Sequence, residues 1–188
     1  NLILEVETGK LGIAAGLQDR VIQVYEGCVF MDFDKDYMDA HGYGRYEELD
    51  PATLPNLFIA YRLDLGEGSE TFHNNIKERW LSGDPEVIQA MKDFASYAQE
   101  ARDLIVAGRG REIGPLMDKN FDRRCSLYTL DPRNIDMVQR ARAVGAHGKF
   151  SGSGGAIVGT YDDQAMYERL VEKMGEGNIA VFQPTVIA

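Results

Sequence analysis

Lys149-Phe150-Ser151-Gly152-Ser153-Gly154-Gly155-Ala156 is the stretch on which the fold turns. Glycine fills three of the four positions from Gly152 to Gly155. Such a backbone reaches positive φ and can aim several N–H groups at one anion. By composition alone the stretch reads as a tight turn joining two strands. The run from Gly155 to Tyr161 is the strand that leaves it. Beyond that strand, Asp163 caps a helix with Met166, Leu170 and Met174 on one face and Gly175 behind it. A last strand covers Ile179 to Phe182 and resumes from Thr185 to Ile187, with Pro184 making it bent or an edge.

Working back from the turn, helix punctuation is plain. Asp131-Pro132 supplies an N-cap and a proline in the first turn, with Ile135, Val138 and Ala141 inward and Gly145 at the stop. Asp84-Pro85 repeats the device, and Gly108 ends that helix. Between them Val87, Met91, Phe94, Ala98, Ala101 and Ile105 recur at steps of four and three, one apolar stripe. Ile113, Met117, Asn120 and Arg124 mark a helix between Gly110 and about Cys125, and Thr71 to Leu81 a shorter one. Leu57 to Arg62 and Cys28 to Phe33 read as strands. From residue 56 the order is strand, helices, strand, Gly turn, strand, helix, strand. This is an α+β layout with helices on one face of an antiparallel sheet. Residues 34–55 are polar, with Gly42, Gly44, Pro51 and Pro55, and read as a connection.

The chain has 188 residues, 20 Lys plus Arg against 30 Asp plus Glu, and a net charge of −10. That balance argues against sequence-independent nucleic-acid binding, which rests on cations meeting phosphates. It leaves room for a phosphorylated small molecule in a locally positive pocket. No apolar run approaches the roughly 20 residues of a membrane helix. Cys28 and Cys125 are too few for a disulfide framework, and the expected setting is cytoplasmic. The opening Asn1-Leu2-Ile3-Leu4-Glu5-Val6-Glu7 already has helical spacing, so the chain reads as a piece of a longer one.

Familiar motifs fail. Nothing fits a P-loop or a dinucleotide fingerprint. Asp32-Phe33-Asp34-Lys35-Asp36 starts like a calcium loop, but Tyr37 stands where Gly is needed and Tyr43 where Glu is needed. His41, His73 and His147 are far apart and lack cysteines at ligand spacing, so no metal site is expected.

The second informative stretch is Ala15-Gly16-Leu17-Gln18-Asp19-Arg20-Val21-Ile22-Gln23-Val24-Tyr25. Gly16 breaks the chain and a helix starts at about Leu17. Asp19 falls in its first turn, where the helix dipole favours negative charge. Asp19, Gln23 and Glu26 share a polar stripe, and Leu17, Val21 and Val24 an apolar one. Taken alone, Asp19 is an acid placed for helix stability.

Together, Gly-Leu-Gln-Asp-Arg before a helix and strand, and a late Lys-Phe-Ser-Gly-Ser-Gly-Gly-Ala, resemble the GHMP small-molecule kinases. Leu11-Gly12-Ile13-Ala14 leading into the first segment is closest to the plant-type glucuronokinase branch of that family. Val24-Tyr25-Glu26-Gly27, Lys77-Glu78-Arg79-Trp80-Leu81 and Asn120-Phe121-Asp122-Arg123-Arg124 continue the likeness. The resemblance implies that residues 1–50 end the N-terminal kinase half, and that residues 51–188 form a ferredoxin-like C-terminal domain with extra helices. It implies ATP-dependent phosphorylation of a sugar, with glucuronate going to its 1-phosphate. Another sugar, a heptose phosphate, or a non-catalytic ligand-binding or regulatory module are the alternatives. Asp19 would hold the anomeric hydroxyl and accept its proton, while Gln18, Arg20 and Tyr25 would contact substrate. Ser151, Gly152, Ser153, Gly154 and Gly155 would wall the phosphate cleft. The family's Gly/Ser-rich ATP loop and its Mg2+ ligands lie in an earlier part of the N-terminal half that has no counterpart here, so the 188 residues alone are expected to be inactive.

Overall fold

Residues 2–10 wind as a short helix, α1 (Leu2–Glu5), that widens into a π-turn over Val6–Lys10. Gly16 then takes an extended conformation, and α2 (Leu17–Tyr25) starts behind it. This computed structural model describes residues 2–12, 16–64, 76–152 and 154–185. They form two units, one running to Ala52 and one spanning Thr53–Thr185.

In the first unit, β1 (Cys28–Asp32) pairs antiparallel with β2 (Arg45–Leu49), Cys28 opposite Leu49 and Asp32 opposite Arg45. Helix α3 (Lys35–His41) joins them. The stretch 34–55, read from sequence as a plain connection, is therefore structured. Asp34 caps α3 by accepting the Tyr37 N–H at 2.9 Å, and Gly42 ends it at φ 75°. Asp32 and Asp34 build turn and cap here, which is why the pattern starts like a calcium loop without being one. Strand β2, Arg-Tyr-Glu-Glu-Leu, is too polar to read as a strand; pairing with β1 makes it one. Among the described residues this unit buries only two hydrophobic side chains, Val21 and Leu49.

The second unit holds β3 (Leu57–Arg62), α4 (Ile76–Leu81), α5 (Pro85–Val106), α6 (Gly114–Leu127) and α7 (Pro132–Ala143). Then come β4 (His147–Phe150), β5 (Ala156–Thr160), α8 (Gln164–Gly175) and β6 (Ile179–Phe182). The sheet order is β4-β5-β3-β6, with every pair antiparallel. A β-helix-β-β-helix-β path with the first strand central is the ferredoxin-like topology, and α4 to α6 are the additions.

One sheet face carries the core. Phe58, Ala60, Phe150 and Ile157 meet Met137, Val138 and Ala141 of α7 and Met166, Leu170 and Met174 of α8. All three expected α8 residues are buried. A second cluster gathers Val87, Ala90 and Leu127 with Met91 and Phe94. The α5 stripe is interrupted, since Ala98 is exposed, and Ala90, outside the expected stripe, is buried. The caps fall where the sequence places them: Asp84 accepts Glu86 N–H, Asp131 Arg133 N–H, and Asp163 Met166 N–H. The helix expected between Gly110 and Cys125 is a 3-10 turn over Gly110–Ile113 followed by α6. Residues 71–75 of the expected helix 71–81, and 186–187 of the last strand, lie outside the described residues.

Candidate functional site

The Gly turn bridges β4 and β5, whose last paired residues are Phe150 and Ile157. Ser151 closes it, its N–H and hydroxyl both reaching the Ala156 carbonyl at 3.2 and 3.3 Å. Gly155 takes φ 75°, a conformation that side-chain-bearing residues avoid. Ser151 and Gly152 are exposed, Gly154 and Gly155 half-buried; Ser153 lies outside the described residues. Among those described, the N–H groups of Gly152 and Gly154 donate to no protein acceptor, which leaves them for a ligand or water.

Two side chains from the helix layer hold this turn. Asn134 of α7 is 2 % exposed, and its Oδ1 accepts the Gly155 N–H at 3.1 Å. Arg124 of α6 donates to the Gly152 carbonyl at 2.9 Å while its guanidinium lies over the rings of Tyr128 and Phe150, 5.3 and 5.1 Å from their centroids. Burial lowers the Arg124 pKa below the ordinary guanidinium value. Lys149, at the entry to the turn, donates to the Phe150 carbonyl at 2.8 Å. Burial, and then the positive charge of Arg124, push the Lys149 ammonium below its usual range. Sequence reading gave none of these three a role at the turn. The one signal was a polar Asn on the inward face of an amphipathic helix.

At the base of the same strand, His147 Nδ1 lies 2.6 Å from Asp118 of α6, and Arg142 bridges Asp118 and Asp122. His147 thus begins a strand and pairs with a carboxylate.

In the first unit, Asp19 stands in the first turn of α2 with its side chain 79 % exposed. Arg20 meets it at 3.2 Å and donates to the Gly16 carbonyl at 3.4 Å. Gln18 is exposed as well. Arg20 and Tyr25 line a cavity of about 880 Å³ with Tyr37, Tyr43, Arg45 and Tyr46. Tyr25 packs edge-on against Tyr46, 5.6 Å between centroids. At 100° per residue, Asp19 faces away from the cavity-lining Leu17 and Val24. The structure thus brings Arg20 and Tyr25 together at one cavity, while Gln18 and Asp19 are absent from its lining.

Among the described residues, no three His, Cys, Asp or Glu side chains converge to hold a metal ion. The described residues therefore do not fit a Mg2+ site. No described helix is long and apolar enough to cross a membrane.

Within the second unit, residues 101–179 match the family described as GHMP kinases C terminal. Over its whole length the chain is 39 % identical to glucuronokinase 1 of Arabidopsis thaliana, of which it covers 52 %. Over 84 % of its length it is 44 % identical to probable glucuronokinase 2 of the same plant, covering 44 % of that protein. The chain spans about half the length of the curated relatives it matches. Among solved structures, L. major mevalonate kinase, crystallised with R-mevalonate, superposes with a TM-score of 0.69 at 15 % identity. That match covers 90 % of this chain and 53 % of the other. A Listeria innocua protein gives 0.65 at 12 % identity, covering 80 % and 48 %. At such identity these two establish the fold.

Proposed function

We propose that this chain is part of an ATP-dependent sugar kinase of the GHMP type, and that the sugar is glucuronate, phosphorylated at its anomeric hydroxyl. The observation that carries the reading is the 39 % identity to a glucuronokinase along the full chain, through both the Asp19 segment and the Gly turn. In this reading residues 1–50 close the N-terminal half of the kinase and residues 51–188 are its C-terminal domain. The compartment is the cytoplasm, in keeping with two unpaired thiols, Cys28 and Cys125.

Phosphoryl transfer asks the protein for position and charge neutralisation more than for covalent chemistry. An exposed carboxylate at a helix start, as Asp19 is, can accept a hydrogen bond from the sugar hydroxyl and take its proton as the new P–O bond forms. Arg20, 3.2 Å from Asp19, orients that carboxylate, while Gln18 and Tyr25 are the further substrate contacts of this reading. The N–H groups of Gly152 and Gly154 are left to donate to anionic oxygen. ATP is the donor and ADP the leaving product.

The test is Asp19→Asn in the complete enzyme. The change keeps shape and removes the proton acceptor, so kcat falls on the order of 10²–10⁴-fold while KM for the sugar changes little. A variant with near wild-type kcat assigns Asp19 to helix stability instead.

A further inference from the structure

Glu26 ends α2 in a conformation that side chains avoid. Its φ is 59° and its ψ −175°, a region that is essentially glycine's. The other non-glycine residue at positive φ among the described residues is Asn178, a residue type that tolerates it. Gly27 follows Glu26 at φ 61°, and the two residues turn the chain out of the helix toward β1. A glycine at position 26 would make the same exit without strain. The glutamate side chain does nothing to hold the turn. Among the described residues its carboxylate has no hydrogen bond and no ion pair, and the residue is exposed. Only its backbone N–H is engaged, donating to the Ile22 carbonyl at 2.8 Å. Strained residues cluster at ligand sites, where the strain serves something other than the fold.

The position of Glu26 narrows what that ligand is. Its bond to Ile22 keeps its Cα on the helix, where Asp19, Gln23 and Glu26 follow one row at 100° per residue. All three are exposed. Seven residues of helix rise about 10 Å, close to the length of one sugar ring with a hydrogen bond of about 2.7 Å at each end. An ionised carboxylate only accepts hydrogen bonds and can take two at once. That suits neighbouring hydroxyls on a sugar ring.

We propose that Glu26 is a substrate-binding residue that accepts hydrogen bonds from the ring hydroxyls remote from the one that reacts at Asp19. The proposal rests on the kinase reading for the identity of the ligand as a sugar. It separates two properties that a purely structural residue would couple. Removing the glutamate relaxes the backbone and stabilises the protein, and the same change weakens sugar binding.

The experiment compares the complete enzyme with its Glu26→Gly and Glu26→Gln variants. Titration calorimetry reads the Kd for D-glucuronate and for its 3-deoxy and 4-deoxy analogues, and thermal unfolding reads Tm. Glu26→Gly is expected to raise Tm by about 2 °C or more and to weaken glucuronate binding roughly tenfold or more. Glu26→Gln keeps one acceptor oxygen and recovers part of the binding. With at least one deoxy analogue the loss caused by Glu26→Gly shrinks, because the hydroxyl it would have held is absent. The proposal is overturned if Glu26→Gly binds glucuronate as the wild type does, or if its Tm fails to rise. It is also overturned if both deoxy analogues show the full loss, or if the wild type binds none of these sugars. The kinase reading fails separately: ADP release that does not depend on glucuronate sinks that reading, while a Kd that depends on Glu26 leaves the binding residue standing.

Discussion

Asn134 Oδ1 accepts the Gly155 N–H at 3.1 Å, from a helix residue only 2 % exposed. A buried amide in the core face of α7 thereby fixes Gly155, the one residue at positive φ among the described residues of the turn. Asn134→Ala leaves that N–H without its partner, and such a loss costs about 1–3 kcal/mol. Asn134→Asp keeps an acceptor and restores part of it. Thermal or urea unfolding reads the stability, and the line shape of the Gly155 amide resonance reads the order of the turn. An Asn134→Ala protein with wild-type Tm and an unchanged Gly155 resonance contradicts the assignment.

Gly152 and Gly155 separate space from conformation. A Cβ on either meets nothing within 4 Å, but only Gly155 has a φ, +75°, that strains a side chain. Gly155→Ala is expected to lose about 1 kcal/mol or somewhat more. Gly152→Ala is expected to fold normally, and in the complete enzyme to lower kcat/KM because the methyl group stands where a ligand approaches the turn. A normal kcat/KM in Gly152→Ala makes the turn a purely structural hairpin.

Gly159 sits where β5 passes under its neighbours. A Cβ there collides with the His147 backbone carbonyl and the Phe58 ring. Overpacking of this kind costs typically 1–3 kcal/mol, and a clash with a backbone carbonyl belongs at the upper end. Gly159→Ala should lower the unfolding midpoint more than any other single change named here. A midpoint equal to wild type means the sheet relaxes freely at this point.

Much of this fold was legible because helix ends have local causes. Asp84, Asp131 and Asp163 act as caps through hydrogen bonds spanning two or three residues, so the sequence carries the whole interaction. The α8 face was legible for the same reason. Strand β2 was not, because Arg-Tyr-Glu-Glu-Leu becomes a strand only by pairing with Cys28–Asp32, many residues earlier. The candidate site divides the same way. The Gly turn and the Asp19 helix start are local patterns. Asn134 and Arg124 act on the turn from 21 and 28 residues away in sequence, and no local pattern announces such contacts.

The caps also set an acid response. The Arg79 hydrogen bond, followed by the backbone N–H groups of Val87 and Glu86, holds the Asp84 carboxyl below its ordinary value. Arg133 and its own backbone N–H do the same for Asp131. A carboxyl lowered in the folded state stabilises above its unfolded value, about pH 4, and that stability is lost as pH falls through the folded value. Helix content followed by circular dichroism should therefore fall on acidification below about pH 4. Asp84→Asn should flatten that limb while lowering stability at neutral pH. An acid limb as steep as that of the wild type removes Asp84 from the account.

We propose that this chain serves a kinase that phosphorylates glucuronate. The most direct measurement is phosphorus NMR of the complete enzyme turning over D-glucuronate and ATP with magnesium. The account predicts ADP together with a new phosphate ester coupled to the anomeric proton, both lost in Asp19→Asn. ADP release that does not depend on glucuronate, or a product phosphorylated at any other oxygen, contradicts it.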